Sequence, residues 1–188
     1  NLYIQFHNHV PQATAGATGC AVHWGGSDTM ATVIADFQAR GATANDRVGV
    51  IGPLGLAGAG KLRGAFGDVV DLNRAFTALR LVKSAEEIDW MRVGAWYSDR
   101  AMAAVAENLR SGLTERDLGD LCERAWVPVG GETVIHFFGS TSMSDPDCRV
   151  PRQIPSTREF AAGDVVFCEI SGALRGYSGQ VLRSFTVE

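Results

Sequence analysis

Gly163-Asp164-Val165-Val166-Phe167-Cys168-Glu169-Ile170-Ser171-Gly172-Ala173-Leu174-Arg175-Gly176-Tyr177-Ser178-Gly179-Gln180-Val181-Leu182-Arg183-Ser184-Phe185 is the stretch whose reading decides the fold. A Gly-Asp turn opens it, an apolar run follows, and a bend with Gly and Ser leads to a second run ending in Val181, Leu182, Phe185 and Val187. That pattern predicts a β-hairpin. Glu169 falls on the first strand and Gln180 on the second. If the two faces agree, both side chains point into one pocket; if they do not, the polar residues simply face water.

The order Gly163-Asp164, Glu169, Gly176-Tyr177 and Arg183-Ser184-Phe185 resembles the metal-binding hairpin of the pita-bread hydrolases, the family of methionine aminopeptidase, aminopeptidase P, prolidase and creatinase. In the peptidases of that family an Asp stands where this chain has Glu169 and another where it has Gln180, and both bind a pair of divalent ions. A His stands twelve residues before the Asp of the Gly-Asp turn, where this chain has Arg152; creatinase, which needs no metal, also uses a His there. Hard divalent ions prefer carboxylate oxygens, and a neutral amide is a poorer ligand. The resemblance therefore implies the scaffold without the standard two-metal centre. No cofactor is expected; the alternative is a divalent ion, Mn, Co or Zn, with Glu169 and Gln180 as ligands.

Working outward, 188 residues with 46% apolar composition are enough to bury a core in one domain or two small ones. A net charge of -4 gives no electrostatic reason to expect nucleic acid or an anionic membrane as partner. No run of eighteen apolar residues and no charged-then-apolar leader is seen, so a cytoplasmic location is expected. Cys20, Cys122, Cys148 and Cys168 are too widely spaced for a Cys-x-x-Cys zinc or redox site, and buried free thiols are expected. The chain lacks a starting Met and stops within an apparent strand, which reads as a piece of a longer protein.

Residues 1–80 alternate strand and helix. Leu2, Tyr3, Ile4 and Phe6 predict a short strand, Ser27 or Asp28 caps a helix running through Arg40, and 47–52 and 66–72 predict further strands, the first of them buried. Gly55 to Leu62 nearly spells a phosphate-binding loop, but Leu62 stands where Ser or Thr must hold Mg²⁺, so the reading is a glycine-rich bend. His7 and His9, expected on one face of a strand, and His23 have no carboxylate or Cys at ligand spacing. By the resemblance, this region is the end of a creatinase-like N-terminal domain, which often completes a neighbouring subunit's pocket, and a homodimer is implied.

Ser84 and Glu87 form a capping box at the join, opening a helix to about Arg110 with Ile88, Met91, Ala95, Met102 and Val105 as its buried face. The string from Arg80 through Lys83-Ser84 to Glu87-Ile88 also resembles the entry of aminopeptidase P and prolidase relatives into their pita-bread domain. Thr114 starts a second helix with Leu118, Leu121, Cys122 and Ala125 inward, and Thr133 to Phe138 predicts an apolar strand before a polar loop at 140–147.

The reading is thus α/β and α+β: residues 1–80 as the tail of a creatinase-type N-terminal α/β domain, and 81–188 as the first half of a pita-bread domain. The resemblance implies a hydrolase of the Xaa-Pro peptidase and creatinase family, acting on a C–N bond of a small amide or amidine-type substrate. Glu169 is the expected acid/base, His136 an auxiliary catalytic residue, and Arg152, Gln180 and Tyr177 the binding set. Arg183 is expected to be structural. An Xaa-Pro dipeptidase with an altered metal site, and a non-catalytic module that binds a peptide or protein, are the alternatives.

Overall fold

A computed structural model describes residues 1–147 and 153–188. The backbone divides into two compact units, Asn1–Val82 and Lys83–Glu188. In the first, strand β1 (Leu2–Ile4) turns through a 3-10 segment, His7–His9, into helix α1 (Val10–Gly16) and then into β2 (Val22–Trp24), which pairs parallel to β1. Helix α2 (Thr29–Ala39) is capped by Asp28, whose carboxylate accepts from the Ala31 N–H at 3.1 Å. Strand β3 (Arg47–Val50), helix α3 (Leu56–Ala65) and a parallel strand β4 (Asp68–Asp71) form a second strand–helix–strand unit, followed by α4 (Asn73–Leu81).

Three expectations for this unit are corrected. From Leu56 onward the glycine-rich stretch is helix, not a bend, because Leu56, Ala57 and Ala59 favour helix and Leu62 gains by burial at 4% exposure. Strand β3 is half-buried, since its single partner β4 leaves its flank open, and Ile51 is exposed. His7 and His9 lie in the 3-10 turn, where Trp24 and Phe6 respectively stack edge-on against them, while His23 stacks on Tyr3.

The second unit opens with helix α5 (Ala85–Asn108), and the expected box is present: Ser84 Oγ accepts from the Glu87 N–H at 3.1 Å, and Glu87 Oε2 from the Ser84 N–H at 2.8 Å. Thr114 and Asp117 make a second box at the start of α6 (Glu115–Trp126). Strands β5 (Glu132–Ser142), β6 (Asp164–Leu174) and β7 (Tyr177–Thr186) form an antiparallel sheet in that order. Arg175 and Gly176 join β6 to β7 with φ of 52° and 79°, both in the left-handed region that a two-residue hairpin turn requires. Strand β5 runs on through Ser140–Ser142, where a polar loop was expected, because Ser140 finds a buried partner: its hydroxyl donates to Glu115 Oε1 at 2.9 Å.

Both helices cover one face of this sheet. Tyr97, Ala101, Met102 and Val105 of α5 and Leu118, Cys122 and Trp126 of α6 bury against Phe138, Val166, Cys168 and Ile170. Helix α5 buries Met102 and Val105 as expected, but its N-terminal half differs: Ile88 and Met91 are 39% exposed, while Gly94, Tyr97 and Ser98 are buried. Close approach explains the shift. A Cβ on Gly179 of β7 would stand 2.3 Å from Ala95 Cα, and one on Gly172 of β6 would stand 2.7 Å from Tyr97 Cβ. Ser98, fully buried, accepts from the Gly172 N–H at 2.9 Å and donates to the Gly179 carbonyl, tying α5 to both strands of the hairpin.

Candidate functional site

With Val166, Cys168 and Ile170 turned to the helices, strand alternation sends Phe167, Glu169 and Ser171 to the opposite face of the sheet. Glu169 pairs with Phe137 on β5 and Leu182 on β7, and Ser171 pairs with Gln180. Glu169 and Gln180 therefore share a face and sit diagonally one pair apart. Gln180 Nε2 donates to Glu169 Oε1 at 2.5 Å. Glu169 is half-buried and Gln180 exposed. An open cleft of about 420 Å³ lies over this part of the hairpin, lined by Phe167, Cys168, Glu169, Leu182, Arg183 and Ser184.

The other expected site residues lie elsewhere. His136 pairs with Ile170 and so faces the helices, its ring 5.2 Å from Phe138. Burial pushes its pKa below the ordinary 6.5, with Glu123 pulling weakly the other way, and its Nδ1 is buried with no hydrogen-bond partner among the described residues. The structure does not bring His136 to Glu169. Tyr177 pairs with Leu174 on the helix side, and its hydroxyl donates to Glu87 Oε1 at 3.1 Å, joining the hairpin to the first turn of α5. Arg183 lines the cleft edge and donates from Nη1 to the Leu182 carbonyl at 2.7 Å. Arg152 and Cys148 lie outside the described residues.

Phe167, Leu182 and Ser184 complete the cleft and were not singled out in the sequence. Their signal is the two-residue period: once Glu169 and Gln180 are assigned to one face, positions two away on each strand must share it. Behind the sheet, two buried carboxylates fix the approach to β6. Glu115, 1% exposed, accepts from Ser140 Oγ and from the Ser156 N–H at 2.7 Å. Asp164, 2% exposed, is gripped by both terminal nitrogens of Arg158, at 2.9 and 2.7 Å, and accepts from the Ala161 N–H at 2.8 Å.

Helices thus pack on one face of the hairpin sheet, with a polar pair and a cleft on the other. The family model for "Metallopeptidase family M24" matches residues 89–188, more than half of the chain, and the chain belongs to that family. Among curated proteins, a probable dipeptidase PepE of Mycobacterium tuberculosis is 32% identical over 111 residues, 58% of this chain and 28% of its own length. Prolidase from Pyrococcus furiosus superposes with a TM-score of 0.77 at 17% identity, over 98% of this chain and 52% of its own. Dipeptidase PepE from Mycobacterium ulcerans does so with a TM-score of 0.74 at 23% identity, over 98% and 49%. The chain thus spans about half the length of these solved relatives, and less of the curated one.

The family's name implies metal, and the donor chemistry of the hairpin tests the fit. Glu169 supplies one carboxylate, and Gln180 a neutral amide that spends an N–H on it. The hairpin residues of this chain do not fit a two-ion centre.

Proposed function

We propose that this chain carries part of a hydrolase acting on a C–N bond of a small amide or amidine-type substrate at the Glu169 cleft, without the standard pair of metal ions. The observation that carries the reading is the Glu169–Gln180 pair on the open face of the hairpin. One Glu169 oxygen accepts the Gln180 N–H, which fixes the carboxylate's orientation and leaves the second oxygen for substrate. A planar N–C–N group has N–H donors suited to that oxygen and to the Gln180 carbonyl. Glu169 then serves as the base toward water or as the acid toward the leaving nitrogen, a role that contributes roughly 10²–10⁴-fold in rate.

Similarity to a probable dipeptidase and to a prolidase favours a second reading, an Xaa-Pro dipeptidase with an altered metal site. Turnover of proline dipeptides and of small amides and amidines, after chelation and with Mn²⁺ restored, separates the two. Chelator-resistant turnover of an amide or amidine that Glu169→Gln lowers by about 10² or more supports the metal-free reading. Proline-dipeptide cleavage that requires Mn²⁺ overturns it.

A further inference from the structure

Gly139 of β5 lies directly opposite Phe167 of β6 and is buried. A Cβ built on Gly139 would stand 2.2 Å from Cε2 of the Phe167 ring, 2.6 Å from Cζ and 3.0 Å from Cδ2. The ring edge therefore rests across the β5 backbone, in space that only a hydrogen at position 139 leaves free. On its other side, Phe167 is paired with Ser184 of β7, and together with Glu169, Leu182 and Ser184 it lines the cleft. A ring leaning over β5 leaves the space above β7 open. Turned away from Gly139 on its two side-chain torsions, the same ring would move toward Ser184, its pair on β7.

We infer that Phe167, seated on Gly139, is the specificity-determining wall of the Glu169 cleft: it sets the width of the opening above β7 and admits a flat amidine-type group while refusing a branched one. This rests on the reading of the cleft as the substrate site. The chemistry suits such a ligand, because a planar cation finds a carboxylate and an aromatic side chain on one wall, two strand positions apart. Tip position matters as well. The atoms a new Cβ would meet are the far end of a movable side chain, so Gly139→Ala is answered by ring movement rather than by loss of the sheet.

The test measures binding of acetamidine, benzamidine and the branched pivalamidine to the wild-type chain, Gly139→Ala, Phe167→Ala and the double variant, with the Leu182 methyl resonances followed by NMR without ligand. Expected is a loss of about tenfold or more for benzamidine in Gly139→Ala, the size of effect one or two misplaced carbons produce in a pocket. Recovery is expected in the double variant, and a gain for pivalamidine in Phe167→Ala, which keeps Gly139 and so stands even if Gly139→Ala folds poorly. The Leu182 methyls shift in Gly139→Ala as the ring moves over them. Unchanged amidine affinities together with unmoved Leu182 methyls overturn the inference while leaving the cleft reading intact. If the wild-type chain binds no amidine, or Glu169→Gln binds benzamidine equally well, the cleft reading fails and the inference with it; a Leu182 shift in Gly139→Ala then still locates the ring.

Discussion

At the scale of single residues, two carboxylates of the hairpin are held in opposite ways. Glu169 is half-buried beside a neutral amide and remains open to the cleft, whereas Asp164 is buried and locked by an Arg. The hydrogen bond from Arg158 is the main cause that holds the Asp164 carboxyl below its ordinary 3.8; the Ala161 N–H adds to it, and burial opposes. A depressed folded-state value means that Asp164 contributes stability which is complete above the unfolded value of about 4 and is lost as pH falls through the lower folded value. Asp164→Asn is expected to cost about 2–3 kcal/mol at neutral pH, less than the fully buried ion pairs that lose 3–5, because the Arg158 side chain is 36% exposed and partly solvated. Urea unfolding between pH 6 and pH 2 checks the sign. The gap between wild type and variant must narrow on the acid side, and a gap that stays constant to pH 2 refutes the assignment.

The elements were legible where local chemistry fixes them and illegible where packing does. The capping box at Ser84 and Glu87, the hairpin turn and the inward Leu118 and Cys122 follow from short-range rules and are found as expected. Met102 and Val105 of α5 are buried as expected, but the N-terminal half of its buried face was missed because Gly94 and Ser98 are small residues with little hydrophobic signal, chosen by how near the helix comes to Gly172 and Gly179. The extension of β5 was missed for a related reason: Ser140 and Thr141 look like loop residues until Glu115 and Asp147 supply partners. Such proximity sets a contrast between two glycines of one sheet. A methyl group at Gly139 meets a ring that can turn, but at Gly179 it meets the α5 backbone, 2.3 Å from Ala95 Cα and 2.4 Å from its nitrogen. Gly179→Ala is expected to cost about 3 kcal/mol, the upper end of overpacking, because a helix must lift from its sheet. Chemical denaturation reads it, and a loss under about 0.5 kcal/mol, the level of an innocuous surface change, rules out the close seat of α5 on the hairpin.

For the whole chain, the pairing of Glu169 with Gln180 was legible as a possibility and settled only by strand register. His136 lies on the face that meets the helices, which an apolar strand does not reveal in its sequence. The backbone divides between Val82 and Lys83. The cysteines sample both sides of it: Cys20 is exposed in the first unit, and Cys122 and Cys168 are buried in the second. Burial pushes both second-unit thiols up, Cys168 to about 12, so neither offers a thiolate at neutral pH while the unit is closed. In a Cys148→Ser background, a thiol reagent at pH 7.5 is expected to label one cysteine promptly and two only as the second unit opens. Ser84→Ala removes the α5 cap at a cost of about 1 kcal/mol and should speed the slow pair about fivefold. Cys20 is exposed, labels without any opening, and should keep its rate. Prompt labelling of Cys122 or Cys168 in the Cys148→Ser background without the cap change would contradict the closed core.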